Sequence, residues 1–478
     1  MSGIASWVTA KDLRHRLDAD FYRPEYLDFD HRADARGLKM RQVVEVSSLV
    51  TDGTHKTPSY VDLGVPFLSA KNIRNGFVDA GSGHKYVSAA EFDQLERWSC
   101  APRPDDVLVA KSGSIGSAGL ANGAYDRFAV FESVAIIRPS GVSPAYLSAY
   151  LNSRLGQLQI RRNSKGAVIR HLHLEDLREV EVPLPERRIQ DYIGAKVELA
   201  ERCRAAAEDH WQKAVGLFQS LFAWSAPPQF SLTSVPAVAE LSGRLDPKYY
   251  RREYLDAVRE IIACEHGWEP IGDLVAEVSN GIEYRQFCSD GVPYLTVTNV
   301  GHGDLDTDGA PRIPVDAPIS DRGRIVESDV LVVRTGSIGQ AAVVQRDAAN
   351  AVISSHFIRL RLHKGDLEQG AWLAFFLNTE LGKALQFRIA YGAVQPQIGQ
   401  DELLRLPVPR LKAEVRRALV RGFLSRSALR AHARRLVNEA KADVEDMIEG
   451  TLDVRAILAG TLKAPTVDDI PELAEDSA

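Results

Sequence analysis

Hydrophobic positions along this chain change their period several times, and the changes come in the same order twice. Short apolar runs such as VLVA at 107–110 and VAII at 134–137, bounded by Gly, Pro and Asn, predict β-strands. A helical pattern follows in each half, SPAYLSAYLNSRLGQLQ from Ser143 and GAWLAFFLNTELGKALQ from Gly370, each expected to form one short helix. Beyond a proline pair, each half ends in a long stripe of apolar residues at spacings of three and four. The first runs Ile189, Ile193, Val197, Ala200, Cys203, Ala207, Trp211, Val215, Phe218, Phe222; the second carries Val415, Leu419, Phe423, Val437, Ala440, Val444 and Met447. At 1.5 Å per residue either helix reaches roughly 50 Å. A globular core rarely needs that length, whereas a spacer of two antiparallel helices does.

The repetition is a tandem duplication with a period of about 225 residues. RLDADFYRPEYLD at Arg16 returns as RLDPKYYRREYLD at Arg244, and GVPFLSAKNI at Gly64 returns as GVPYLTVTNV at Gly291. DVLVAKSGSIG at Asp106 returns as DVLVVRTGSIG at Asp329. The period drifts by a few residues, as loop insertions would make it. The fold class expected is therefore α+β: a tandem duplication of two α/β domains separated by two long antiparallel helices, a coiled-coil spacer. The boundaries are a helical segment 1–34, a first domain 35–185, a central helix 186–224 and a Pro/Ser-rich linker 225–243. A second domain with its own helical lead, 244–410, a second helix 411–450 and an acidic tail 451–478, expected to be disordered beyond Ala464, complete the chain.

Composition adds limits. The 478 residues leave room for about three domains, and 45% hydrophobic with 26% charged residues is ordinary for a protein with real cores. No apolar run approaches the ~20 residues that span a bilayer, and the first residues lack a signal-peptide core. Cys100, Cys203, Cys264 and Cys288 form no C-x-x-C pair, which argues against a disulfide framework or zinc ribbon and fits a reducing cytoplasm. A net charge of −6 means that nucleic acid could be bound only by local patches.

Catalytic patterns fail one by one. APPQF at Ala226 has alanine where an adenine methyltransferase needs a polar residue before Pro-Pro-aromatic. PDDVLVAK resembles a nuclease carboxylate–lysine arrangement, but Val109 stands where the second acid belongs and repeat two has Arg334 for Lys111. GSIG lacks the lysine and hydroxyl of a triphosphate loop and reads as a glycine turn; there is no G-x-S-x-G around Ser114. His171 and His173 lack further zinc ligands and have Gln397 and Gly399 as counterparts.

The polar residues point to nucleic acid. From Arg154 to His173 there are five Lys or Arg and no acid, and the last helix is rich in Arg, a feature shared with any solvated helix face. Loops differ on the shared frame: DGTHKTPSY against NGIEYRQFCSD, and AKNIRNG against VTNVGHG. Variation of hydrogen-bonding residues on a constant scaffold suits base reading, and unconstrained drift would look similar. The candidate DNA contacts of repeat one are Thr54, His55, Lys56, Thr57, Lys71, Asn72, Arg74, Lys111, Ser112, Arg161, Arg162, Lys165, Arg170 and His171. Those of repeat two are Tyr284, Arg285, Gln286, Thr298, Asn299, Arg334, Thr335, Arg388, Gln395 and Gln397.

DGTHKTPSY…GVPFLSAKNI, DVLVAKSGSIG and GAVIRHLHLEDLREVEVPLP, with their second-copy counterparts, resemble the specificity subunit of type I restriction–modification systems over nearly the whole chain. The resemblance implies two target recognition domains, each reading half of a bipartite site on double-stranded DNA. Two long helices would set the gap and dock two adenine-N6 methyltransferase subunits; a complete complex also includes ATP-dependent restriction subunits. It implies no catalysis and no cofactor of the chain's own, with AdoMet, ATP and Mg on the partners, and no membrane. The family often has a glutamine after the proline pair; Gln190 matches in repeat one, and repeat two reads RLKAEVRRALV without it. The RLD…EYLD lead suggests a less common branch, one serving a fused methyltransferase–nuclease or another phage-defence system. The rivals are a stand-alone nuclease or methyltransferase and a structural scaffold.

Overall fold

The computed structural model describes all residues except 1–6, 11–12, 14–17, 75, 79–83, 123–124, 165–170, 228–230, 232–233, 242, 245, 302, 393 and 476–478. The chain divides into two compact units, residues 1–206 with 431–478, and residues 207–430. Each contains one repeat and stretches of both long helices.

The strand Val107–Ala110 and its counterpart Val330–Val333 are apolar at every position because each separates two cores. In the first unit Val107 and Val109 face a core shared with Tyr146 and Tyr150, while Leu108 and Ala110 face another with Leu68, Ile73 and Val130. In the second unit Val330 and Val332 face one core, and Leu331 and Val333 the other. A period of two thus distributes a continuous apolar run between two faces. The strand lies third in a four-stranded antiparallel sheet, ordered Ser47–Asp52, Val134–Pro139, Val107–Ala110, Ala118–Leu120. Repeat two gives the same order with Val275–Asn280, Phe357–Leu362, Val330–Val333 and Ala341–Val343. A smaller sheet in each repeat contains a parallel pair, Val65–Leu68 with Ala129–Val130 and Val292–Leu295 with Val352–Ile353.

Two buried ion pairs repeat as well. Arg138 donates to both carboxylate oxygens of Asp106 at 2.9 and 2.8 Å, and Arg361 does the same to Asp329 at 2.9 and 2.9 Å. Short strands staple each domain's entry to its exit, with Met40 opposite Pro183 and Trp268 opposite Pro409.

The helical pattern expected to give one helix gives two. In repeat one they are Pro144–Asn152 and Arg154–Asn163; in repeat two, Leu367–Asn378 and Glu380–Ile389. Ser153 and Thr379 break them by acting as N-caps, their hydroxyls accepting from Gly156 N and Gly382 N at 3.1 Å. The glycines are needed, since a Cβ would lie 1.9 Å from Tyr150 O or 2.1 Å from Phe376 O.

The two long helices are continuous, Arg187–Gln219 and Ala413–Glu449, about 50 and 55 Å at the usual rise. Within the first unit they run antiparallel: Lys196 Nζ lies 2.6 Å from Asp443, and Ile193 and Val197 share a core with Ala440 and Val444. Within the second, Arg426 lies 5.0 Å over the Trp211 ring, and a Cβ at Gly422 would stand 3.3 Å from that of Ala214. A small hairpin of each domain rests on these helices. In repeat one Arg204 donates to Val78 O at 3.0 Å and covers the Phe77 ring at 4.4 Å. In repeat two buried Asp304 pairs with Arg426 and Arg430.

The expected disorder of the tail needs correction. The acidic tail is ordered through Glu475, with helices Val454–Ala459 and Pro471–Glu475. Ile457, Ile470 and Leu473 are buried, and Glu472 lies 3.4 Å from His432, so a low apolar content sufficed. Around the linker, Trp224 Nε1 donates to Glu253 O at 3.1 Å, and Ser231 N to the Glu253 carboxylate at 2.7 Å.

Candidate nucleic-acid interface

One end of the larger sheet gathers many of the candidate residues of repeat one. Asp52 ends its strand opposite Ala135, and Lys111 follows Ala110 on the neighbouring strand. Lys111 Nζ is taken by the Asp52 carboxylate, so this cation is partly buried and neutralised. His55 is exposed and sits between Asp52, at 3.3 Å, and Glu132, at 2.7 Å. Leu172 N donates to Lys111 O at 3.3 Å, which brings the exposed His171 beside this end. Ser114 Oγ donates to Ile73 O at 3.1 Å and Ala70 N to Ser133 Oγ at 3.0 Å, so Lys71 and Arg74 border it as well. Lys56, Thr57, Lys71 and Arg74 are exposed; Ser112 is partly so.

Other candidates serve the scaffold. Buried Thr54 exchanges hydrogen bonds with the Lys56 backbone, at 3.2 and 3.1 Å. Asn72 and Asn299 are buried caps, their Oδ1 atoms accepting from Ser69 N and Thr296 N at 3.0 Å. The glycine turn is structural: Gly113, Gly116, Gly336 and Gly339 all have positive φ, and Gly116 N is spent on Ala110 O at 2.8 Å.

Arg162 and Arg388 are the clearest corrections. Arg162 is buried; its Nη1 donates to both carboxylate oxygens of Asp30 at 2.9 and 2.8 Å, its Nε donates to Phe21 O at 3.1 Å, and it covers the Phe21 ring at 4.1 Å. Arg388 repeats this on Tyr249, with its guanidinium 3.9 Å from the ring centre and Nε donating to Tyr249 O at 3.2 Å. Burial holds the Arg388 guanidinium below the usual arginine range. Both clasp the lead of their own repeat, Arg162 buried and Arg388 half-buried, so their side chains are engaged within the domain. Arg161 is exposed, its Nε on Gln157 O at 3.1 Å. Lys165 and Arg170 lie outside the described residues.

At the matching sheet end of repeat two, Asn280 and Arg334 occupy the register positions of Asp52 and Lys111. Thr335 is buried, its Oγ1 2.5 Å from His356 Nδ1, and it bridges to Gln397, which pairs in turn with Tyr391. Gln395 is exposed in the same loop. The structure thus assembles Arg334, Thr335, Gln395 and Gln397. Tyr284 is half-buried, its N donating to Tyr294 Oη at 3.3 Å, while Arg285 pairs with Glu283 and Gln286 is exposed. Thr298 is exposed and shares a 2.8 Å hydroxyl contact with Thr296.

Solved structures similar to the chain include the following three. An S subunit of a type I restriction-modification system from M. genitalium is 12% identical, with 87% of this chain and 96% of that one covered, at a TM-score of 0.40. A chain from a study of assembly and conformational transition of the type I R-M system is 17% identical, with 89% and 98% covered, at 0.30. The HsdS subunit from Thermoanaerobacter tengcongensis is 16% identical, with 87% and 97% covered, at 0.27. No family model and no curated protein matches the chain.

The Arg-rich last helix is largely neutralised. Arg410 pairs with Glu269, Arg416 with Glu368, Arg426 and Arg430 with Asp304, and Arg435 with Glu439, while Lys412, Arg417 and Arg421 are exposed. Gln190 is consumed internally: its Oε1 accepts from Ser143 N at 2.9 Å and its Nε2 donates to Pro185 O at 2.9 Å. The nuclease reading loses its geometry, since Asp106 is tied to Arg138, Asp105 to Asn122 and Lys111 to Asp52. No described helix is long and apolar enough to cross a membrane.

Sequence reading missed Asp52, Glu132, Asn280 and His356. Asp52 and Asn280 were visible as the aligned residues that open the two divergent loops. Their weight becomes evident only when the register sets them beside Lys111 and Arg334.

Proposed function

We propose that the chain is a DNA sequence-recognition subunit of a type I restriction–modification complex or a related methylation-linked defence system, working in the cytoplasm. Each repeat reads one half of a bipartite target on double-stranded DNA, and the long helices dock adenine-N6 methyltransferase subunits. The chain performs no catalysis; AdoMet, ATP and Mg belong to its partners, including ATP-dependent restriction subunits.

The observation that carries this reading is one scaffold built twice, alike in strand order and glycine turns and different in the polar residues at the same sheet end. A single domain reading a few base pairs at ~1–3 kcal/mol each discriminates poorly among genomic competitors. Two domains joined covalently multiply their selectivity.

The test is co-expression with a methyltransferase encoded beside it, followed by single-molecule mapping of adenine methylation. A split motif with a fixed gap is expected. A soluble complex that methylates no bipartite motif would overturn the reading.

A further inference from the structure

The two sheet ends share a backbone and differ in charge balance. In repeat one, Asp52 and Glu132 stand at this end and take up Lys111 and His55. In repeat two the corresponding positions hold Asn280 and Ser355, neither of them acidic. Asn280 Oδ1 accepts instead from Gln400 Nε2 at 2.9 Å.

Arg334 is therefore left unmatched. Its side chain is half-buried, its Nε is buried without a hydrogen-bond partner, and no described acid pairs with it. Its backbone is fixed on both sides, N donating to His356 O and O accepting from Ile398 N, each at 2.9 Å. Desolvating part of a guanidinium without an acceptor is unfavourable, and the cost is recovered only when an acceptor arrives from outside. A guanidinium is a planar fork that fits a pair of adjacent acceptors, and guanine offers N7 and O6 as such a pair in the major groove. The hydrogen-bonding neighbours Thr335, His356 and Gln397, none of them acidic, leave that fork unquenched.

We propose that Arg334 reads a guanine in the half-site of the second domain, and that the first domain, with Lys111 neutralised by Asp52, reads its half-site without a cation at that position. The inference rests on the DNA-recognition reading and adds a residue and a base to it.

The test uses the full complex with its methyltransferase and maps methylated motifs for the wild type, Arg334→Gln, Arg334→Lys and Asn280→Asp. One guanine of one half-site is expected to become degenerate in Arg334→Gln, with preference for it falling on the order of 10- to 100-fold, while the other half is unchanged. Arg334→Lys, which keeps the charge and loses the fork, relaxes the same position. Asn280→Asp keeps the arginine and restores the acid of repeat one; it is expected to give the same relaxation by pairing Arg334. An unchanged motif with slower methylation and a shallower salt dependence of binding would make Arg334 a phosphate contact and overturn the proposal. An unchanged motif with unchanged rates would overturn it too, as would a wild-type half-site for the second domain that lacks guanine. Absence of any bipartite motif in the wild type would instead overturn the recognition reading itself.

Discussion

Arg162 lies 4.1 Å over the ring of Phe21, and its counterpart Arg388 lies 3.9 Å over Tyr249. The contact joins the RLD lead of each repeat to the second of its paired helices, so the lead is part of each domain rather than a tether. Arg162→Ala would leave Asp30 without its buried partner, a change that typically costs about 3–5 kcal/mol. Thermal or urea unfolding should show this loss in the first unit, and a variant as stable as the wild type would remove the clasp from the account.

Lys111 and Asp52 behave as a structural pair. Lys111→Met alone should destabilise by a few kcal/mol, and adding Asp52→Leu should restore much of the loss, because an ion pair replaced by packed apolar groups is often neutral. A double-mutant cycle in urea measures it. A loss in the double variant equal to the sum of the two single losses would mean that the two residues act independently.

Salt dependence separates exposed cations from paired ones. The slope of log affinity against log salt changes by about 0.9 for each phosphate that a cation neutralises. Lys56→Gln with Lys71→Gln should lower the slope by about 1.8 if both meet phosphates. Lys111→Met should leave it unchanged, and a drop there would show that Lys111 leaves Asp52 on binding.

Glu201 gives a pH signature. Burial pushes its carboxyl up to about 7, against the opposing pull of Arg204. The folded state therefore holds a proton that the unfolded chain releases near pH 4.5, so stability falls as pH rises from about 4.5 to 7. The loss is on the order of 3 kcal/mol above pH 7. Glu201→Gln should be more stable than the wild type at pH 8 and nearly equal to it at pH 5, measured by urea unfolding at both. A variant less stable at pH 8 would show the ion pair with Arg204 to dominate.

The duplication, the buried strand, the glycine turn and both long helices were legible because period and repetition are local properties of sequence. The break at Ser153 and Thr379 was not, since the apolar pattern runs through it and a hydroxyl caps without interrupting the stripe. Basic runs misled for a physical reason: Arg162 reads like Arg161, and its partner Asp30 lies far away in the chain. Likewise the charge state of the sheet end depends on Asp52, which no spacing connects to Lys111. The tail looked disordered by composition, although Ile470 and Leu473 were enough to seat it.

The central claim is that the two domains read DNA separately. Because Met40–Pro183 and Trp268–Pro409 close their domains with the same paired strands, residues 40–183 can be written again in place of 268–409. Methylation mapped with this chain in its complex should show a split motif whose two halves carry the same bases, one of them retained from the wild type. A motif that keeps both original halves, or loses the retained half although the complex assembles, would contradict the account.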